Sequence, residues 1–184
     1  MSDARLTQGG LVDYEAVGKR LAELTSPDEA GSWIADAWAS QYRRQTNGET
    51  DLVEVDLGTF TYLFDIAYQR VVGVYGRSAP TNAPRPAARM RGHPSYNKPG
   101  EAPTDRGHLA AHTIGGGTNI NLVPQAHALN ISRSWRDFER DLQKHPGRFF
   151  VVQVEYSDDS QRPSGFVYGA VQDGAFRYER LPNR

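Results

Sequence analysis

The apolar positions change their period along the chain. Tyr14, Val17, Leu21 and Leu24 recur at 3-4-3 spacing, one face of a helix. Ser26-Pro27-Asp28-Glu29 then offers an N-cap, a proline at the first helical position and a capping-box glutamate. Trp33, Ile34, Ala37 and Trp38 form the apolar stripe of the helix that should follow, and Asn47-Gly48 is its natural stop. Both tryptophans are expected in a core or an interface.

From about residue 51 the period falls to two. Val53, Val55 and Leu57 alternate with Glu54 and Asp56, as in a half-buried strand. The stretch from Phe60 to Tyr75 reads as two strands around a turn near 65–69. Periodicity then vanishes over 78–104, which holds six prolines together with Arg85, Arg89 and Arg91. Long loops inside compact domains tend to be functional. Trp135, Phe138 and Leu142 mark a further amphipathic helix, capped by Ser132 or Ser134 and ended by Lys144-His145-Pro146-Gly147. Strands at about 149–156, 165–171 and 174–180 complete the chain, the last two joined by Asp173-Gly174. The division this suggests is a helical segment over 1–50 and a second unit over 51–184.

With 184 residues, 38% hydrophobic and 23% charged, the chain can bury a core. Its longest apolar runs are far too short to span a membrane, and the first ten residues lack the apolar stretch of a signal peptide. The expectation is a chain cytoplasmic as synthesised, with no membrane partner and with a dedicated export route as the alternative. Zero cysteines exclude disulfides, thiol nucleophiles and Cys-ligated metals, and five histidines leave little for a multi-His cage. The net charge of −1 hides a division. Residues 1–76 carry 12 acidic and 6 basic side chains, residues 77–149 carry 5 and 11, and residues 150–184 carry 5 and 4. The positive charge is gathered in the middle stretch, nearly all as arginine, which fits a site for a polyanion.

Polar residues with chemical capacity concentrate in that stretch. Hydrolysis of a phosphodiester needs a base of near-neutral pKa, for which histidine is suited, and charge neutralisation by arginines or a divalent cation. Hard cations take oxygen ligands and keep several waters, so a single amide oxygen can hold one if the substrate contributes. His108, Asn130, Glu139 and the nearby arginines contain such a set.

The segments Asp105-Arg106-Gly107-His108, Asn121-x-x-Pro124-Gln125, Leu129-Asn130 and Trp135-x-x-Phe138-Glu139 resemble, in that order, the motifs of the DNA/RNA non-specific endonuclease family. The resemblance extends over about 60–180 and is strongest over 104–142. It implies an α+β fold, an antiparallel sheet with a ββα-metal (His-Me finger) active site, here preceded by the helical N-terminal segment. It further implies His108 as the general base and Asn130 as the protein ligand of Mg²⁺ (or Mn²⁺), with water and substrate phosphate completing the shell. Asn121 would support the histidine loop, Asp105 would brace it, and Arg106 would contact the scissile phosphate. Glu139 would hold metal-bound water. An upstream arginine, Arg91 or Arg89, would bind the substrate in the transition state. The substrate would be DNA, with RNA as an alternative. Domains of this sort often arm bacterial antagonism proteins, which implies a toxin with an immunity partner.

The spacing departs from the family's in one respect. Asn130 precedes Trp135 by five residues where four is usual. On one continuous helix Asn130 and Glu139 would lie about 180° apart. A helix starting after Asn130, which Ser132 and Ser134 favour, or a bulge would reconcile them. Asp137, seven residues on, is the reserve ligand. His112 and His127 match no motif and are expected as exposed loop or helix residues, His93 and His145 as loop and C-cap residues. Gly115-Gly116-Gly117 is expected to be a turn rather than a phosphate cradle. Two rivals stand beside the nuclease: a nucleic-acid-binding module without hydrolysis, and a hydrolase of small phosphodiesters. The acidic segment 1–50 is open to three readings: an adaptor, a dimer surface, or an autoinhibitory cover.

Overall fold

The computed structural model describes residues 6–24, 29–46, 48–84 and 102–184. A short ladder of β1 (Thr7–Gln8) and β2 (Leu11–Val12) leads into α1 (Tyr14–Glu23) and α2 (Ala30–Gln45). The chain then forms β3 (Leu52–Leu57), β4 (Phe60–Asp65) and β5 (Arg70–Arg77). Next come β6 (Thr104–His108), a 3₁₀ turn (His112–Ile114), β7 (Leu122–Ala126), α3 (His127–Asn130) and α4 (Arg133–Lys144). It ends with β8 (Phe149–Glu155), β9 (Gly165–Gln172) and β10 (Ala175–Pro182).

Six strands make one antiparallel sheet in the order β10-β9-β8-β5-β4-β3, and β6 pairs with β7 in a separate two-stranded ribbon. The meander β3-β4-β5 follows the alternation in the sequence. At the β9–β10 turn Asp173 and Gly174 both take positive φ, 50° and 77°, as the tight hairpin requires. Among the described residues no helix is long and apolar enough to cross a membrane. Helix α1 begins on an Asp13 cap that accepts from the N–H groups of Glu15 and Ala16. The predicted cap of α2 at Ser26 to Asp28, and Asn47 after its end, lie outside the described residues.

Alternation along β9 separates two layers of packing. Phe166 and Tyr168 face α4, where Trp135 meets them at ring distances of 5.6 Å and Phe138 packs tilted against Tyr168 at 4.3 Å. Residues one step away in register, Gln153 and Gly73, face α1 and α2. There the Tyr14 hydroxyl donates to Gln153 Oε1 at 2.7 Å and accepts from Trp38 Nε1 at 2.8 Å. Trp38 lies so close over Gly73 that a Cβ there would stand 2.5 Å from the indole. The absence of a side chain at 73 is what lets α2 approach. Buried Arg70 adds a polar clamp on the same segment: its Nε donates to the Tyr42 hydroxyl at 2.8 Å, and that hydroxyl donates to Asp65 at 2.8 Å. Its guanidinium also stacks 4.1 Å over Tyr156. The helices α1 and α2 thus lie on the sheet face opposite α4, an arrangement that does not suit a cover over the His108 strand.

Candidate functional site

The ribbon β6–β7 and the helices α3 and α4 form a ββα unit against the sheet. Its register sets Thr104 opposite Ala126, Asp105 opposite Gln125 and His108 opposite Leu122. His108 ends β6 and is buried. Gly107 before it is required by close approach, because a Cβ would stand 2.1 Å from the amide oxygen of fully buried Gln125. Arg106, between Asp105 and Gly107, has its residue surface exposed.

The chain leaving His108 is fixed by Asn121, which is fully buried. Its Oδ1 accepts from the Ala110 N–H at 2.8 Å. Its Nδ2 donates to the carbonyls of Ala110 and Gly117, both at 2.7 Å. One amide therefore satisfies three backbone groups of the 109–117 bend. The glycines in that bend are packing positions: Gly115 takes φ 98° after the 3₁₀ turn, and a Cβ on Gly116 would collide with the Ala110 carbonyl at 1.8 Å. His112 bonds the Ala83 carbonyl through Nε2 at 2.7 Å and ties the upstream segment to the bend.

A second cluster joins β6 to α3. Asp105 Oδ2 accepts from Asn130 Nδ2 at 2.9 Å and from His127 Nδ1 at 2.9 Å. The donated hydrogen bond from Asn130, helped by His127, holds the Asp105 carboxyl below its ordinary value. Because its amide nitrogen turns to Asp105, Asn130 turns its oxygen away from it. His127, which the sequence marks as an exposed loop or helix residue, is exposed, yet its ring belongs to this cluster. The signal that reveals it is the register, since pairing 104–108 with 122–126 brings residue 127 beside the start of β6.

The helix breaks after Asn130. Ile131 closes α3, and Ser132, extended at ψ 152°, caps α4 by accepting from the Trp135 N–H. The late start anticipated from the serines is found, so Asn130 and Glu139 do not share one helix and the 180° conflict disappears. Glu139 accepts from Trp135 Nε1 at 3.1 Å. Asp137, the reserve ligand, is instead ion-paired with Arg133 at 3.3 Å and Arg140 at 3.1 Å on an exposed part of α4. His145 is the C-cap of α4, as expected. Arg89, Arg91 and His93 lie outside the described residues. Among the described residues no three His, Cys, Asp or Glu side chains gather as a metal cluster.

A ribbon carrying a histidine at its end, followed by a short helix that supplies an amide and a second helix that supplies a carboxylate, is the frame of a ββα-type nuclease. The model of the DNA/RNA non-specific endonuclease family matches residues 52–173, about two thirds of the chain, and the chain belongs to that family. It is an endonuclease, and nucleic acid is its substrate. Among solved structures, an "extracellular endonuclease" aligns at 16% identity over 75% of this chain and 80% of that chain, with a TM-score of 0.41. An "extracellular nuclease" aligns at 14% identity over 76% of this chain and 87% of that chain, with a TM-score of 0.39. No curated protein matches the sequence.

Proposed function

We propose that this nuclease cleaves DNA, with RNA as a second substrate, by His108-activated attack of water on the phosphodiester. The observation that carries the reading is the cluster of Asp105, Asn130 and His127 built onto the strand that His108 ends. An oxygen-seeking cation suits Asn130: its amide oxygen is a hard donor, and Asp105, by accepting from the amide nitrogen, holds that nitrogen aside. Asn130 would hold Mg²⁺ or Mn²⁺ there, and when bound the cation would supply positive charge against the phosphate.

The chain's own residues account for the remaining steps. His108 accepts the proton of the attacking water at its ring, held in place by the bend that Asn121 pins. The new P–O bond forms as one ester P–O bond breaks, and the leaving oxygen takes a proton. Arg106, exposed beside the histidine, neutralises a phosphate oxygen, and Glu139 orients water from α4. Arg89 and Arg91 belong to the same positive stretch and would extend the grip on the backbone without reading sequence. The immunity protein of a toxin carrying this site would have to match that positive excess.

A plasmid-nicking assay tests the reading. His108→Ala should lower cleavage by roughly 10²–10⁴-fold, the usual worth of a placed general base, while DNA binding persists. A variant that cuts within about threefold of wild type would refute the assignment. Full nicking by the wild type in excess EDTA would remove the cation from the reading.

A further inference from the structure

The outer edge of β7 is closed by a side chain. β7 pairs with β6 along one edge. On the other, Asn183 Oδ1 accepts from the Ala126 N–H at 2.6 Å, and its Nδ2 donates to the carbonyls of Pro124 at 3.0 Å and Pro163 at 2.8 Å. Bonds to the carbonyl of 124 and the N–H of 126 are the pair that a parallel strand would make opposite residue 125. The Asn183 amide substitutes for that missing strand. The residue is buried, and its backbone N–H donates to the Ser164 carbonyl at 2.9 Å.

This closure falls where the site is least self-supporting. Ala126 is the last residue of β7 and the residue from which α3 springs. Helix α3 is four residues long, and of these only Leu129 is buried. So short a helix has no stability of its own and is placed by what holds its ends. Asp105 holds the far end through Asn130, and Asn183 holds the near end through Ala126.

We propose that Asn183 is a positioning residue for Asn130: it fixes the joint between β7 and α3, so that the Asn130 amide reaches Asp105 and presents its oxygen. This rests on the reading of Asn130 as the cation ligand. Residues that orient a ligand typically alter metal affinity or activity by about 10- to 100-fold when removed.

The test uses the full chain and three variants: Asn183→Ala, Asn183→Asp, which keeps the acceptor for Ala126 and can serve at most one of the two carbonyls, and Asn130→Ala. Amide hydrogen exchange is read by NMR without metal, and cleavage is read against Mg²⁺ concentration. In Asn183→Ala, protection of the Ala126 amide and of α3 should fall by about tenfold or more, while Val152 in β8 keeps its protection. Half-saturating Mg²⁺ should rise about 10- to 100-fold, with the rate largely restored at high Mg²⁺ and DNA affinity unchanged. Asn183→Asp should fall between the two. In the Asn130→Ala background, Asn183→Ala should add less than about threefold to the loss, because the two act through one group. If Asn130→Ala is fully active, the ligand reading fails whatever Asn183 does. If Asn130→Ala is inactive but the Asn183 variants leave Mg²⁺ dependence unchanged, or lower protection equally throughout the sheet, the positioning role is overturned. Should Asn183→Ala not fold, the same measurements on Asn183→Asp decide.

Discussion

Replacing Asn121 by aspartate changes one atom's chemistry at a fully buried position, and its consequence can be worked from the three bonds made there. The Ala110 N–H still finds an acceptor, but the donor that served the Ala110 and Gly117 carbonyls at 2.7 Å becomes an oxygen facing two oxygens. Burial and that repulsion both disfavour the carboxylate, so the new group takes up a proton in the folded state. The protonated form donates to one carbonyl only, and the other loses its partner, costing about 1–3 kcal/mol at any pH. A second cost depends on pH. A folded-state pKa raised above about 3.9 gives stability that is complete below the unfolded value and lost as pH rises toward the folded one. The loss runs at about 1.4 kcal/mol per pH unit, so a folded pKa well above 7 implies about 2.7 kcal/mol between pH 5 and pH 7. Urea unfolding of wild type and Asn121→Asp at the two pH values, followed by the fluorescence of buried Trp33, Trp38 and Trp135, measures it. A gap from wild type that is the same at both pH values, or below about 0.5 kcal/mol, would refute the account of Asn121 as a buried donor to the bend.

Asn130→Ala should abolish most cleavage with little change in Tm, whereas Asp137→Ala, which removes only exposed ion pairs, should leave the rate within about twofold; the reverse result would make Asp137 the ligand. Gly73→Ala should destabilise the protein by about 1–3 kcal/mol in thermal unfolding, because its methyl group must displace the Trp38 ring, and an unchanged Tm would show that α2 does not depend on that approach. Alkaline unfolding should begin as pH passes about 10, the ordinary tyrosine value, because burial pushes Tyr14, Tyr62 and Tyr156 up and, with Glu54 bonded to it, Tyr75 to about 12. Raised folded values mean stability complete below pH 10 and lost above it, so the share of the tyrosinate absorbance at 295 nm that comes from these buried rings should appear together with loss of structure rather than before it.

The elements whose burial is one-sided were legible in the sequence. The stripes of α1 and α4 and the alternation of β3 announce themselves because one face meets the core and the other meets water. The β6–β7 ribbon did not: Thr104–His108 holds a glycine and charged residues, Leu122–Ala126 is buried throughout and contains a proline, and neither shows a period. Motif order located the chemistry there, while pairing register was needed to bring His127 to Asp105 across 22 residues of chain. Asn183 gave no signal at all, because its role exists only once β7 has an edge left open.

The break at Ile131 and Ser132 has a bearing on how this site tolerates change. Within one helix, each added residue would swing Glu139 by about 100° around the axis relative to Asn130. Here the two side chains stand on separate helices, with the extended Ser132 between them. An inserted or deleted residue at the joint alters only the path of a short linker, while each helix keeps its own angular phase. Insertions should therefore be tolerated between 131 and 132 and fatal to activity between 135 and 138. What must be preserved in this part of the chain is the direction in which each side chain points, not the count of residues that separates them.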